Sequence, residues 1–118
     1  MSTTVLTGTE GKPGLSAAAL EEGQPSLEAV ERGIRIVESD TSIRTVGKAG
    51  LPNLLGEVEC DASIMDGQTL QCGSVGALRG FAHPITVARQ IMQQLPHVLL
   101  VNETRCLLRK PTRCIEND

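Results

Sequence analysis

A chain of 118 residues is one domain's worth of polypeptide, too short for a second full domain. Hydrophobic residues make up 40% of it, yet Phe81 is the single aromatic, so any core is aliphatic and stacking platforms for nucleic-acid bases are absent. The net charge of -3 divides into an acidic front (residues 1–66) and a basic rear (residues 67–118), read as solvated faces; with the missing aromatics it excludes a nucleic-acid surface.

In chain order, a short strand is predicted around Val5 and Leu6, and Gly8, Gly11, Pro13 and Gly14 then break regular structure, leaving residues 1–14 as an irregular segment. An Ala-rich helix follows over Leu15 to Leu20 and ends near Gly23. Pro25-Ser26 offers a cap for a second helix through Ser39. Leu27, Val30, Ile34 and Val37 mark its apolar face, with Glu28, Glu31, Arg32, Arg35 and Glu38 on the others. Residues 40–56 carry Gly47, Gly50, Pro52 and Gly56 and read as a long loop. Glu57 to Ala62 alternates with period two, Asp66-Gly67 signals a hairpin turn, and Thr69 to Leu78 supplies the second strand. His83-Pro84 opens a third helix with Ile85, Ala88, Ile91, Met92 and Leu95 as its apolar stripe, stopped at Leu95-Pro96. Val98 to Val101 suits a buried strand, and residues 102–118 form a polar, basic tail. The class is α/β.

No run of 18 apolar residues occurs, which excludes a membrane-spanning helix, and the first residues lack a secretory pattern. A cytoplasmic chain is the default expectation, with a lysosomal location open if the chain belongs to a eukaryotic precursor. Cys60, Cys72, Cys106 and Cys114 match neither a zinc-site spacing nor a disulfide scaffold, so reduced thiols are expected. Cys60 and Cys72 fall on neighbouring strands, close in rung, as small buried hydrophobes. His83 and His97 sit beside prolines at element ends and read as boundary or capping residues. Glu57, Glu59 and Asp61 share one strand face and read as its solvated side rather than a metal or acid–base cluster. Gly47-Lys48-Ala49-Gly50 lacks the spacing that cradles phosphates. Asn102-Glu103-Thr104 fits a glycosylation sequon that has meaning only in a secreted chain. No metal and no cofactor is expected.

The run Thr45-Val46-Gly47-Lys48-Ala49-Gly50-Leu51-Pro52-Asn53, followed by Gly56 through Gly67 with its Asp61-Ala62-Ser63-Ile64-Met65-Asp66-Gly67 block, closely resembles the α-subunit signature of the asparaginase type 2 family. The likeness takes in Ser26 to Glu31, Thr69 to Ala77, His83 to Arg89 and Pro96 to Val101, and looks more like the aspartylglucosaminidase branch than the plant-type branch. What it implies is an N-terminal nucleophile hydrolase: an αββα sandwich that cleaves itself before a threonine, whose hydroxyl attacks a side-chain amide with its own α-amino group as base.

On that resemblance, residues 15–101 are an α-subunit-like region forming part of the sandwich, and residues 102–118 are a divergent tail. The family's nucleophile follows a glycine and lies beyond this region; Thr45-Val46-Gly47 mimics its triplet, but Arg44 stands in the glycine's place, so no catalytic residue is assigned here. Thr45, Val46, Gly47 and Gly50 are expected to border the substrate site, and Asp66 and Gly67 to shape the hairpin. The expected partner is the missing β-subunit or a full-length homologue, with a small amide as substrate once the enzyme is completed. The alternative is a non-catalytic α/β protein that pairs with a full-length homologue. Neither nucleic acid nor membrane is an expected partner.

Overall fold

The computed structural model describes residues 18–101. The predicted strand at Val5 and Leu6, the segment 1–14 and the tail 102–118 lie outside the described residues, and of the Ala-rich helix only its end, helical at residues 18–21, is described.

Helix α1 spans Ser26–Ser39. Pro25 holds the position before it in extended backbone, and no side chain caps the helix; Glu28 in the first turn faces the positive end of the dipole instead. A one-turn 3-10 helix follows at Gly47–Ala49. Strands β1 (Cys60–Met65) and β2 (Cys72–Leu78) form an antiparallel hairpin, helix α2 covers Pro84–Gln94, and β3 (Leu99–Val101) returns parallel to β2. The result is a three-stranded mixed sheet in the order β1-β2-β3. The crossover through α2 is what a parallel neighbour requires.

Strand alternation divides the sheet into two unlike faces. Ala62 and Ile64 of β1, Gly73 and Val75 of β2 and Leu100 of β3 turn toward α2. There Ile64, Val75, Leu78, Ile85, Val87, Ala88, Ile91 and Met92 form the buried core, with Leu27, Ile34 and Phe81 packed on it. Gly73 lets the helix approach, because a Cβ at that point would overlap the Ala88 carbonyl and the Met92 amide. The opposite face carries Asp61, Ser63, Met65, Ser74, Gly76, Leu99 and Val101. Met65, Leu99 and Val101 are 56%, 56% and 60% exposed on it.

Four sequence expectations need correction. The continuous apolar run at Val98 to Val101 is not buried: β3 is the outer strand of the sheet among the described residues, and its alternation turns only Leu100 inward. The buried side of α1 is not the Leu27, Val30, Ile34, Val37 stripe, since Val30 is 45% exposed while Glu31 and Glu38 are buried. Leu27, Glu31, Ile34 and Glu38 line the side toward the core, the same helical spacing rotated by one position, and Ala29 and Gly33 are buried as well. Cys60 and Cys72 are not close in rung; Cys60 stands across from Leu78 and Cys72 across from Met65, at opposite ends of the hairpin.

The hairpin turn is also longer than the two-residue Asp66-Gly67 turn expected from sequence. It spans Asp66 to Gln71, closed by Asp66 and Gln71 and by the Leu70 amide on the Asp66 carbonyl at 2.8 Å. The left-handed residue is Leu70 (φ 59) and not Gly67. Asp66 organises the turn with its carboxylate, accepting the Gln68 amide at 2.9 Å and the Thr69 hydroxyl at 3.0 Å. These donors, the Gln68 amide foremost, hold its carboxyl below the usual range.

Candidate functional site

The glycine-rich segment after α1 folds into a closed loop rather than an open connector. Asp40 starts it, its carboxylate accepting the Ser42 amide at 3.0 Å and the Ser42 hydroxyl at 2.6 Å. The Leu51 amide donates to the Arg44 carbonyl and the Gly50 amide to the Gly47 carbonyl, both at 3.0 Å, so Thr45, Val46, Gly47 and Gly50 are brought into one compact unit. Thr45 and Val46 are exposed, Gly50 is half-buried and Gly47 is buried. Gly47 has φ 69 and lies on the end of α1, where a Cβ would overlap the Cα and carbonyl of Glu38. Both conditions demand glycine. Asp66 and Gly67 lie away from this unit, beyond the far end of β1, roughly 17 Å along the strand by its rise per residue.

Beyond the loop, Asn53 holds a second turn in place. Its side-chain oxygen accepts the Leu55 amide at 2.9 Å and the Glu57 amide at 3.1 Å, and its backbone amide donates to the Glu57 carbonyl at 2.8 Å. Leu51, Leu54 and Leu55 stand exposed around it.

Underneath the Thr45–Gly50 unit is a cluster that the sequence reading did not assemble. Glu38, the penultimate residue of α1, is buried, and its Oε1 accepts the Ile85 amide of α2 at 3.0 Å. Pro84 at the first helical position has no N–H, so Ile85 presents the first free amide of α2. His83, expected as a cap, makes no side-chain capping bond; Glu38, 47 residues away in sequence, satisfies that helix end in its stead. The other carboxylate oxygen, Oε2, lies 3.3 Å from His83 Nδ1. Both atoms are buried, and among the described residues neither has another hydrogen-bond partner. Burial pushes the Glu38 carboxyl up to about 7, against the Ile85 amide and Arg35, while Glu31 adds to the rise. Burial and then Arg35 lower the imidazole of His83. The half-buried Cys60 at the start of β1 donates its thiol to the Gly47 carbonyl at 3.5 Å, tying the loop to the sheet. Its pKa is raised by burial and by the neighbouring Glu38.

A second charged cluster joins the two helices. Arg89 bonds Glu28 at 2.7 Å and Glu31 at 2.5 Å, and the Thr86 hydroxyl donates to Glu31 at 2.6 Å. Burial raises the carboxyl of Glu31, but Thr86 and Arg89 more than reverse this and hold it below its ordinary value. The one available signal for both clusters was the seven-residue spacing of Glu31 and Glu38, which puts them on one helix face with Leu27 and Ile34.

The three acidic residues before and in β1 are accounted for by local structure. Arg79, next after β2, pairs with both Glu57 and Glu59. Asp61 accepts the Ala77 amide at 2.8 Å, at the bulge where Ala77 takes φ 51 and the register shifts between Cys60 and Ala62. Among the described residues no three His, Cys, Asp or Glu side chains converge as metal ligands, and no helix is long and apolar enough to cross a membrane. Cys60 and Cys72 are free thiols. His97 is exposed between α2 and β3.

A family model described as Asparaginase matches residues 14–114, running past the last described strand. An N(4)-(β-N-acetylglucosaminyl)-L-asparaginase from Elizabethkingia miricola is 44% identical over 84 residues, covering 71% of this chain and 24% of the relative. A plant-type L-asparaginase from Pyrococcus horikoshii is 44% identical over 78 residues, 66% of this chain and 25% of the relative. An isoaspartyl peptidase/L-asparaginase from Xenopus laevis is 40% identical over 91 residues, 77% of this chain and 29% of the relative. The chain thus spans about a quarter of the length of the curated relatives it matches.

Proposed function

The chain belongs to the asparaginase type 2 family, and from that membership we propose that it is the α-subunit-like part of an amidohydrolase acting on asparagine-linked side-chain amides, inactive until joined to a threonine-bearing β-subunit. The observation that carries this reading is the family match over residues 14–114, supported by relatives named for such activities. The open sheet face agrees with it. Met65, Leu99 and Val101 leave apolar side chains exposed among Ser63, Ser74 and Gly76 on a sheet whose other side is already packed, and a second sheet is the natural cover for such a face. The small α/β domain then supplies one sheet and one helical layer of an αββα sandwich.

In the completed enzyme, Thr45, Val46, Gly47 and Gly50 border the substrate. Exposed Thr45 and Val46 sit on a loop locked from below by Gly47, so their positions are fixed before substrate arrives. Chemistry comes from the other half: a threonine hydroxyl, a weak nucleophile by itself, activated by its own free amine. Thr45 does not take that part, since Arg44 stands where the family's nucleophile is preceded by glycine.

The test is ammonia and aspartate release from L-asparagine, glycosylasparagine and an isoaspartyl dipeptide, by the purified chain and by the chain co-expressed with the β-subunit portion of the Elizabethkingia relative. No release alone and release on co-expression is the expected pattern. Turnover by the chain alone that Thr45→Ala abolishes overturns the assignment. A stable complex that stays silent on every substrate favours the non-catalytic pairing protein instead.

A further inference from the structure

We propose that Glu38 and His83 share one proton, and that this proton latches the Thr45–Gly50 loop onto the end of α1, so that the loop loosens when the proton is lost. Glu38 Oε2 and His83 Nδ1 are 3.3 Å apart, buried, and without other partners among the described residues. A carboxyl oxygen and an imidazole nitrogen buried in that position repel unless a hydrogen lies between them, carried by either atom. Glu38 Oε2 carries it and donates to the Nδ1 lone pair of a neutral imidazole, while Oε1 keeps the Ile85 amide.

The coupling to the loop is mechanical. Gly47 lies against the Glu38 backbone too closely for any side chain between them, and Cys60 holds the same Gly47 by its carbonyl. When the proton leaves for solvent, a carboxylate remains in a site sealed from water, with the Nδ1–H tautomer of neutral His83 as its one new donor and Arg35 as its favourable charge, facing Glu31 on its own helix and the Cys60 thiol of β1. Hydrating that anion means parting the contacts that cover it. Lys48, the cation of the loop itself, is exposed. The latch needs no substrate; it controls the order of the loop whether or not that loop borders a catalytic centre.

Cys60 is the built-in reporter, because its thiol is bonded to the loop it would lose. The full chain is pulsed with N-ethylmaleimide from pH 5 to 8.5, and labelling at Cys60 is read by peptide mass spectrometry as a ratio to Cys72 in the same sample. The ratio is expected to climb by about tenfold between pH 5 and pH 8.5, with its midpoint near pH 7, following release of a single proton. An ionised Glu38 beside a closed loop would suppress the Cys60 thiolate and lower the ratio, so a rise reports opening. Glu38→Gln keeps a donor toward His83 and has no proton to lose, and its ratio should stay low and flat above pH 6. A flat ratio in the native chain, or the same climb in Glu38→Gln, overturns the latch. Should Glu38→Gln fail to fold, the native chain still decides: the Ile85 amide loses hydrogen-exchange protection in step with the Cys60 ratio, or protection stays constant and the proposal falls.

Discussion

The two sides of α2 are built from opposite materials. Toward the sheet it presents Ile85, Val87, Ala88, Ile91 and Met92 to Ile64, Val75 and Leu78, an interface of aliphatic contacts. Toward α1 it presents Thr86, Arg89 and the Ile85 amide to Glu31, Glu28 and Glu38, a network of charge-assisted bonds. The apolar side needs only volume and shape, which leaves its strength indifferent to pH. The charged side must keep each acid matched by a donor, so its strength depends on protonation. One helix therefore has a constant anchor on the sheet and an adjustable one on α1, and the adjustable one lies beneath the Thr45–Gly50 loop.

The largest effect expected is on the constant side. Ile91 is fully buried at the centre of the core, and Ile91→Ala should lower unfolding free energy by about 4 kcal/mol, from lost transfer energy and the cavity left behind. Urea titrations at pH 5 and pH 8 should give the same loss. A pH-dependent difference would break the contrast.

Next comes pH itself, acting on the adjustable side. The carboxyl of Glu38 is raised in the fold to about 7 from 4.5, so the folded chain holds a proton the unfolded chain has released. Its contribution is complete below pH 4.5 and is lost as pH rises through 7, up to about 3 kcal/mol by linkage. His83 opposes part of this: its lowered pKa makes the fold weaker as pH falls through the imidazole range. Net stability should decline from pH 5 to pH 7, and Glu38→Gln should flatten that limb in urea melts across the range. Stability that rises over the same interval would refute the assignment.

Arg89→Ala tests the other end of the network. It strips Glu31 of its guanidinium and leaves that acid buried with the Thr86 hydroxyl alone, at a cost of about 2 kcal/mol at pH 7. Replacing Glu31 by Gln in the same chain should return part of the loss, because the unpaired charge is what destabilises. Strict additivity in that double-mutant cycle would mean the pair is not coupled.

The sequence disclosed the constant side far more fully than the adjustable one. Pro84 at the helix start and the Ile85, Ala88, Ile91, Met92 spacing identify α2 and its buried face without any tertiary information. The hairpin is visible in outline, but the alternation at Glu57 to Ala62 runs three residues ahead of the observed Cys60–Met65 strand, and the turn is hidden: Asp66-Gly67 suggests a tight turn, but the Asp66 carboxylate organises six residues and puts the left-handed backbone at Leu70. Glu31 and Glu38 look like solvent-facing residues because the donors that justify burying them lie on α2, 55 and 47 positions onward. Of the candidate site, the glycine density announced a shaped loop; what it rests on depended on a contact between Gly47 and α1 that periodicity does not encode.

The finest probe of the comparison is one hydroxyl. Thr86 donates to Glu31 at 2.6 Å, and Thr86→Val keeps the shape while removing the donor. Glu31 keeps its pairing with Arg89, so the loss at pH 7 should be about 1.5 kcal/mol, the low end of the net value of a single hydrogen bond to a charged acceptor. The sign of its pH dependence is opposite to that of Glu38. The carboxyl of Glu31 is held low in the fold, so its stabilisation is present above pH 4.5 and is lost as pH falls through its folded value. Without the Thr86 hydroxyl that folded value moves up, and the acid limb of the stability profile should begin at higher pH while the limb governed by Glu38 stays in place. Urea midpoints measured from pH 3 to pH 8 separate the two limbs. Movement of both together would mean that Glu31 and Glu38 titrate as one unit, and the two clusters beneath α2 would then be a single network.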